Sequence, residues 1–193
     1  MKIHRLLPVS RANGPGPRFA VWVQGCSRSC PECFNPLTHD LHGGYELSVS
    51  EIISQIPIGE VNGITVSGGE PFEQPDDLAA LLEETSQMGL NSLVYTGFTY
   101  EELKSQNVCK VEKCLSLIHI LIDGAYKKEI PPKMPLTGSG NQRVLQLCHG
   151  TIAKIYTKND LETDGFFDGE LIIDQTGAVT ATGTINSYFL QNL

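Results

Sequence analysis

Strands and helices alternate along the chain as far as Arg143, and that order predicts an α/β fold. The expected architecture is a partial, incomplete TIM-type barrel: a mainly parallel sheet with outer helices, plus a small β-rich C-terminal extension. Length supports incomplete closure, because 193 residues are too few for a complete eight-unit barrel of about 250. After Leu145 the pattern changes to strands and turns without intervening helices. The expected division is therefore residues 1–145 for the barrel core and 146–193 for the extension.

Ile3 to Val9 reads as a first strand, and Arg11 to Arg18, with two Gly-Pro steps, as a loop. Phe19 to Gln24 alternates bulky and β-branched residues, the pattern of a buried strand. Ser48-Val-Ser-Glu51 is a capping box that opens a helix with Val49, Ile52, Ile53 and Ile56 on one face, stopped by Pro57. Gly63 to Ser67 is a short strand running directly into Gly68-Gly69-Glu70-Pro71. Asp76 or Asp77 then caps a second helix, with Leu78, Leu81, Leu82, Thr85 and Met88 as its inner stripe and Gly89 as its end. Asn91 to Thr96 is a strand, Thr99-Tyr-Glu-Glu102 caps a third helix, and Ile118 to Ile122 is a strand ending at Asp123-Gly124. A proline-rich loop covers 127–139, Thr151 to Thr157 is a strand, and Gly169 to Asp174 pairs with Ala178 to Thr182 as a hairpin.

There are 22 acidic against 14 basic side chains, a formal charge of −8, and no Lys/Arg cluster. That balance argues against nucleic acid as a partner. The first ten residues lack the apolar core of a secretory signal, and no apolar run approaches the ~18 residues of a membrane span. The expectation is a cytoplasmic protein, without membrane contact, whose six cysteines do not form a disulfide framework. Cys109, Cys114 and Cys148 are scattered and read as small buried hydrophobes.

Cys26, Cys30 and Cys33 are different, because three thiols fall within eight residues directly after a strand. Gly25 and Pro31 forbid a continuous helix there, so the expected structure is a loop that brings three sulfurs to one point. Three thiolates hold a metal centre but leave one coordination position unfilled. Structural zinc is normally closed by four protein ligands, and His39 or His42 would have to be the fourth. An iron–sulfur cluster with three cysteines instead keeps one iron open. Gly68-Gly69-Glu70-Pro71 follows its own strand; its glycines admit a ligand close to the backbone, and its carboxylate suits an ammonium group. Cys26, Gly68, Thr96 and Asp123 each follow a strand, so a parallel sheet would set all four on one rim, where such folds place ligands.

The Cys-x3-Cys-x2-Cys loop and the Gly-Gly-Glu-Pro turn resemble those of radical S-adenosylmethionine (SAM) enzymes. Further segments are similar to glycyl-radical-enzyme activases, and most of all to those of anaerobic ribonucleotide reductase: Asn13 to Arg18, Cys33-Phe-Asn35, Tyr95 to Leu103, Asp123-Gly124 and Gly138 to Arg143. The resemblance runs from about Ala12 to Arg143. It implies a 4Fe-4S cluster on Cys26, Cys30 and Cys33, and SAM bound beside it with Gly68, Gly69, Glu70 and Pro71 at its amino group. Thr96, Asp123 and Asn141 are candidates for the SAM side of the site, with Arg143 beside Asn141. No further catalytic side chain is implied, since the chemistry belongs to the cluster and SAM. The implied partners are a glycyl radical enzyme and an electron donor such as flavodoxin or ferredoxin. Two rival readings are a radical-SAM enzyme acting on a small molecule or peptide, and a non-catalytic metal- or cluster-binding interaction module. Glu32, where many relatives carry an aromatic residue, would lower the cluster potential if ionised and unpaired.

Overall fold

The computed structural model describes residues 1–161, 169–173 and 179–183. Its main sheet begins with β1 (Lys2–Ser10) and β2 (Arg18–Val23), joined as an antiparallel pair, and the short β3 (Tyr45–Glu46) pairs antiparallel with the other edge of β1. β4 (Gly63–Gly68), β5 (Asn91–Tyr95) and β6 (Ile120–Asp123) then continue from β2 in parallel. β7 (Arg143–Cys148) and β8 (Thr151–Ile155) close the far side antiparallel. The sheet is therefore mixed, with four parallel strands at its centre and antiparallel pairing at both edges. β9 (Gly169–Ile173) and β10 (Val179–Gly183) form a separate antiparallel pair, and the residues joining them lie outside the described ones.

α1 (Val49–Ile53), α2 (Pro75–Gln87), α3 (Tyr100–Ser105) and α4 (Cys109–Leu117) lie between the central strands, and the one-turn α5 (Lys158–Leu161) follows β8. Both predicted capping boxes are present, Ser48 with Glu51 and Thr99 with Glu102. The single third helix expected after Thr99 is instead two, broken at Asn107, whose φ is +52°. Neither Asp76 nor Asp77 caps α2. Its first residue is Pro75 and its cap position is Gln74, whose side chain reaches away to the Lys2 amide and the Lys2 and Gln24 carbonyls. Met88 ends the predicted inner stripe but lies exposed at the helix terminus. Of the scattered cysteines only Cys114 is a buried hydrophobe; Cys109 and Cys148 are exposed.

Alternation along the strands sorts the two faces of the sheet. Phe19, Val21, Val23, Ile64, Val66, Val94 and Leu121 pack with Leu78, Leu81, Leu82, Leu103 and Leu115 of the helices. The residues between them face the other way, and Trp22, Ser67 and Tyr95 of that set line a cavity. Helices thus cover one face, and the cavity opens on the other, towards the C-terminal ends of the parallel strands.

Arg18 anchors the opposite end of that inner face. Its side chain is fully buried and its partners are all neutral oxygens: Thr65 Oγ1 at 2.7 Å, Asn91 Oδ1 at 2.7 Å, and the carbonyls of Pro15, Ile64 and Asn91. Burial pulls its pKa down to about 10, which still leaves it charged at neutrality. Arg18→Met strands those acceptors, so a loss of about 3 kcal/mol in stability is expected, read as a lower denaturant midpoint.

Candidate functional site

Two loops at the strand ends are laced together by their backbones. Beyond β2 and β4 the ladder continues as Gly69 N–H to the Val23 carbonyl at 2.8 Å and Glu70 N–H to the Gly25 carbonyl at 2.9 Å. A side chain at Gly69 would place its Cβ 2.1 Å from the Gly25 oxygen, and one at Gly68 (φ +101°) would meet the Val23 backbone at 2.5 Å. Glycine is required at both positions for the Cys26 loop and the Gly68–Pro71 turn to meet.

The cysteine loop is fixed from three sides. Gly25 and Cys26 donate their N–H groups to the carbonyls of Thr38 and His39. Gln24, buried, donates its amide to the carbonyls of Leu37 and Asp40. Glu73, in the 3-10 turn Pro71–Glu73, accepts from both the amide and the hydroxyl of Ser27. Just after the loop the Phe34 ring packs on Tyr126 at 4.9 Å, and within the loop Glu32 forms an ion pair with Lys128. Glu32 is thus paired, and its charge weighs less on the cysteine loop than an isolated carboxylate would.

Cys26, Cys30 and Cys33 are unbridged, partly buried, and line one cavity of about 540 Å³ together with Gly68, Gly69 and Glu70. Burial pushes the Cys26 and Cys33 thiols up, so binding iron as thiolates must displace protons. The three sulfurs share a cavity rather than a point: among the described residues no three His, Cys, Asp or Glu side chains are gathered to hold a single ion. A cubane cluster puts each thiolate on a different iron, and so suits ligands that stand apart. Two buried nitrogens of lining residues, Arg28 Nε and His39 Nε2, have no hydrogen-bond partner among the described residues. An open Arg28 N–H and an unpartnered His39 ring nitrogen beside three cysteines fit a polar ligand. The residues present therefore fit an iron–sulfur cluster with a polar molecule beside it.

Glu70 is the electrostatic centre of the rim. It is 1 % exposed, and burial pushes its pKa up to about 7 against the pull of its donors. Those donors are Thr96 Oγ1 at 2.8 Å, Gly97 N–H at 2.8 Å and Phe72 N–H at 3.1 Å. Thr96 and Glu70 both line the cavity, while Pro71 is buried behind it, opening the 3-10 turn. Arg28 lies over the Phe98 ring at 4.5 Å and bears electrostatically on Glu70. A Cβ on Gly97 would fall 2.6 Å from Arg28 Nε, so glycine there makes room for the guanidinium.

Asp123 and Asn141 are not brought to the cavity. Asp123 is buried against Arg143, which also pairs with Glu101, and it accepts the Tyr100 N–H at 2.8 Å. Asn141 donates to the Ala125 carbonyl at 2.8 Å, leaving its buried Oδ1 without a partner among the described residues. Its neighbour Gln142 reaches the cavity instead. His4 and His119 have ordinary side-chain partners, Gln24 and Ser92, and His149 sits in the turn between β7 and β8 with φ +48°. Sequence reasoning named His39 only as a possible fourth ligand to zinc and did not single out Arg28 or Gln142 for this cavity, although Arg28's place between two of the cysteines was a signal.

Comparison with known proteins agrees with this geometry. Residues 12–145 match the family described as a 4Fe-4S single cluster domain. The anaerobic ribonucleoside-triphosphate reductase-activating protein of Salmonella typhimurium is 32% identical over 157 residues, which cover 76% of this chain and 99% of that protein. Its namesake from Enterobacteria phage T4 is 28% identical over 151 residues, covering 75% and 93%. The pyruvate formate-lyase-activating enzyme of Clostridium pasteurianum is 33% identical over 106 residues, covering 51% and 44%. A cysteine loop laced to a glycine turn, inside a match that spans most of the chain, places this protein in the 4Fe-4S single-cluster-domain family, alongside the anaerobic ribonucleoside-triphosphate reductase-activating proteins.

Proposed function

We propose that this chain is a radical SAM activase that installs a glycyl radical on a partner enzyme of the anaerobic ribonucleoside-triphosphate reductase type. The observation that carries the reading is the shared cavity in which three free cysteines face the Gly68–Glu70 turn. When bound, a 4Fe-4S cluster supplies the electron that splits SAM into methionine and a 5′-deoxyadenosyl radical, and that radical takes a hydrogen atom from the substrate.

Cys26, Cys30 and Cys33 would hold three of the irons. Gly68 and Gly69 let the glycine turn close on the Cys26 loop, and Glu70, buried at the cavity, is the carboxyl group that the SAM amino group would pair with and hold ionised. Thr96 and Gly97 hold the Glu70 carboxylate in place. Asp123 and Asn141 act behind that wall, Asp123 by fixing Arg143 and the start of α3, Asn141 by holding the chain at Ala125. Trp22 and Tyr95 give the cavity aromatic walls that limit water. The four parallel strands, helices outside and cavity inside, form part of a barrel in this reading. A flavodoxin- or ferredoxin-type donor would supply electrons in the cytoplasm, and among the described residues no helix is long and apolar enough to cross a membrane.

The test is anaerobic. The reconstituted protein, SAM, a reductant and the host's anaerobic ribonucleoside-triphosphate reductase are mixed and followed by electron paramagnetic resonance. A glycyl radical doublet on the reductase, absent when SAM or this chain is omitted, is expected. SAM cleavage with no radical on the reductase would contradict the activase assignment.

A further inference from the structure

Arg28 brings a cation to the same part of the cavity as Glu70. It lies between Cys26 and Cys30 in the chain, and its guanidinium rests on the Phe98 ring, 4.5 Å from the centroid. The place a Cβ of Gly97 would take is 2.6 Å from Arg28 Nε and 3.4 Å from Glu70 Oε2, so both groups close on one small volume. They do not hydrogen-bond to each other. Glu70 takes its hydrogen bonds from Thr96, Gly97 and Phe72, and Arg28 reaches it through charge alone. Both side chains line the cavity, and Arg28 Nε is buried without a partner among the described residues.

A buried N–H is costly to leave unpaired, and a guanidinium cannot shed its charge to escape that cost. Its planar fork of donors matches a carboxylate. Other arginines around the sheet are engaged. Arg143 holds Asp123 and Glu101, and Arg18 is spent on neutral oxygens at the opposite end of the inner face. Arg5 also lines the cavity, but it is exposed and donates to Thr180 Oγ1. It enters from β1, and β2 separates β1 from β4, the strand that leads to Glu70.

An acid and a cation that share a cavity wall without pairing suit a ligand that carries both charges, its ammonium for the acid and its carboxylate for the cation. The amino-acid end of SAM is such a group. We propose that Arg28 binds the SAM carboxylate in this chain, and that with Glu70 it selects an intact α-amino-acid end. The Phe98 ring keeps the guanidinium in place, and the absence of a side chain at Gly97 leaves it room. This inference rests on the radical SAM reading and deepens it by naming a binding residue that the cysteine and glycine motifs do not contain.

The test compares SAM with decarboxylated SAM, which lacks only the carboxylate, by equilibrium binding to the reconstituted protein. Any contact between the carboxylate and the cluster is common to wild type and variants, so it cancels in the comparison. Arg28→Gln is expected to weaken SAM at least about tenfold and to leave decarboxylated SAM within about twofold of the wild type. Arg28→Lys keeps the charge without the fork and should recover part of the loss. Phe98→Leu frees the guanidinium without removing it and should lose a smaller share of the same preference, which keeps the test decisive if Arg28→Gln fails to fold. Equal weakening of both ligands, no weakening of SAM, or the selective loss appearing in Arg5→Met instead would overturn Arg28 as the carboxylate partner. Failure of the radical SAM reading shows separately, as wild-type protein that binds neither ligand.

Discussion

Cys30→Ala is expected to strip the reconstituted protein of its iron–sulfur absorbance and to lower SAM cleavage by more than about 100-fold. Loss of an outer-shell partner alone typically costs 10–100-fold in metal affinity or activity, and Cys30 is a direct ligand in this reading. It lies in the middle of the three-cysteine loop, within the cavity, and no fourth cysteine stands near to replace it. Cys109→Ala and Cys148→Ala are the controls. Both side chains are exposed and away from the cavity, so iron content and cleavage should match the wild type. Iron and sulfide assays with visible absorbance, taken on all three variants, check the outcome.

Gly69→Ala carries the second large effect, and it acts through geometry alone. The added methyl would fall 2.1 Å from the Gly25 carbonyl oxygen and 2.8 Å from its carbon. Both are backbone atoms held by the ladder between the two loops, so neither can turn aside as a side chain would. The cysteine loop and the glycine turn must part. Overpacking of this kind costs about 1–3 kcal/mol in stability, and SAM affinity should fall at least about tenfold, equivalent to about 1.4 kcal/mol. Gly59→Ala separates crowding from backbone strain. Gly59 has φ +86° but nothing within 4 Å of its would-be Cβ. It should lose about 1 kcal/mol of stability and leave SAM binding unchanged. Thermal melts and equilibrium binding of SAM distinguish the two variants.

The parts of the fold that were legible were those written by local chemistry. Ser48 with Glu51 and Thr99 with Glu102 mark helix starts within four residues, and both caps form. The Cys26–Cys33 spacing and the Gly68–Pro71 turn are equally local, and the three cysteines face the same cavity as Gly68, Gly69 and Glu70. What the sequence hid depends on partners far along the chain. Asp123 ends a strand at the rim, but its carboxylate is claimed by Arg143, 20 residues away, and by the Tyr100 amide. No spacing rule announces such a pair. Gln74 displaces the expected aspartate at the start of α2 while its side chain serves Lys2 and Gln24, 72 and 50 positions earlier. Asn107 breaks a helical stretch through a left-handed φ that asparagine tolerates, without a proline or glycine to signal it. The hairpin was visible as two strands, but its seat at the cavity comes from Arg5, Ser10, Arg11 and Asn13, more than 150 residues before it.

The most direct test of the account measures the products of SAM. The protein is reconstituted anaerobically with iron and sulfide, reduced, and given SAM, and methionine and 5′-deoxyadenosine are quantified together. The account predicts both, in equal amounts, only with reductant, and neither from Cys30→Ala. Tight zinc binding with no cluster and no cleavage would contradict it.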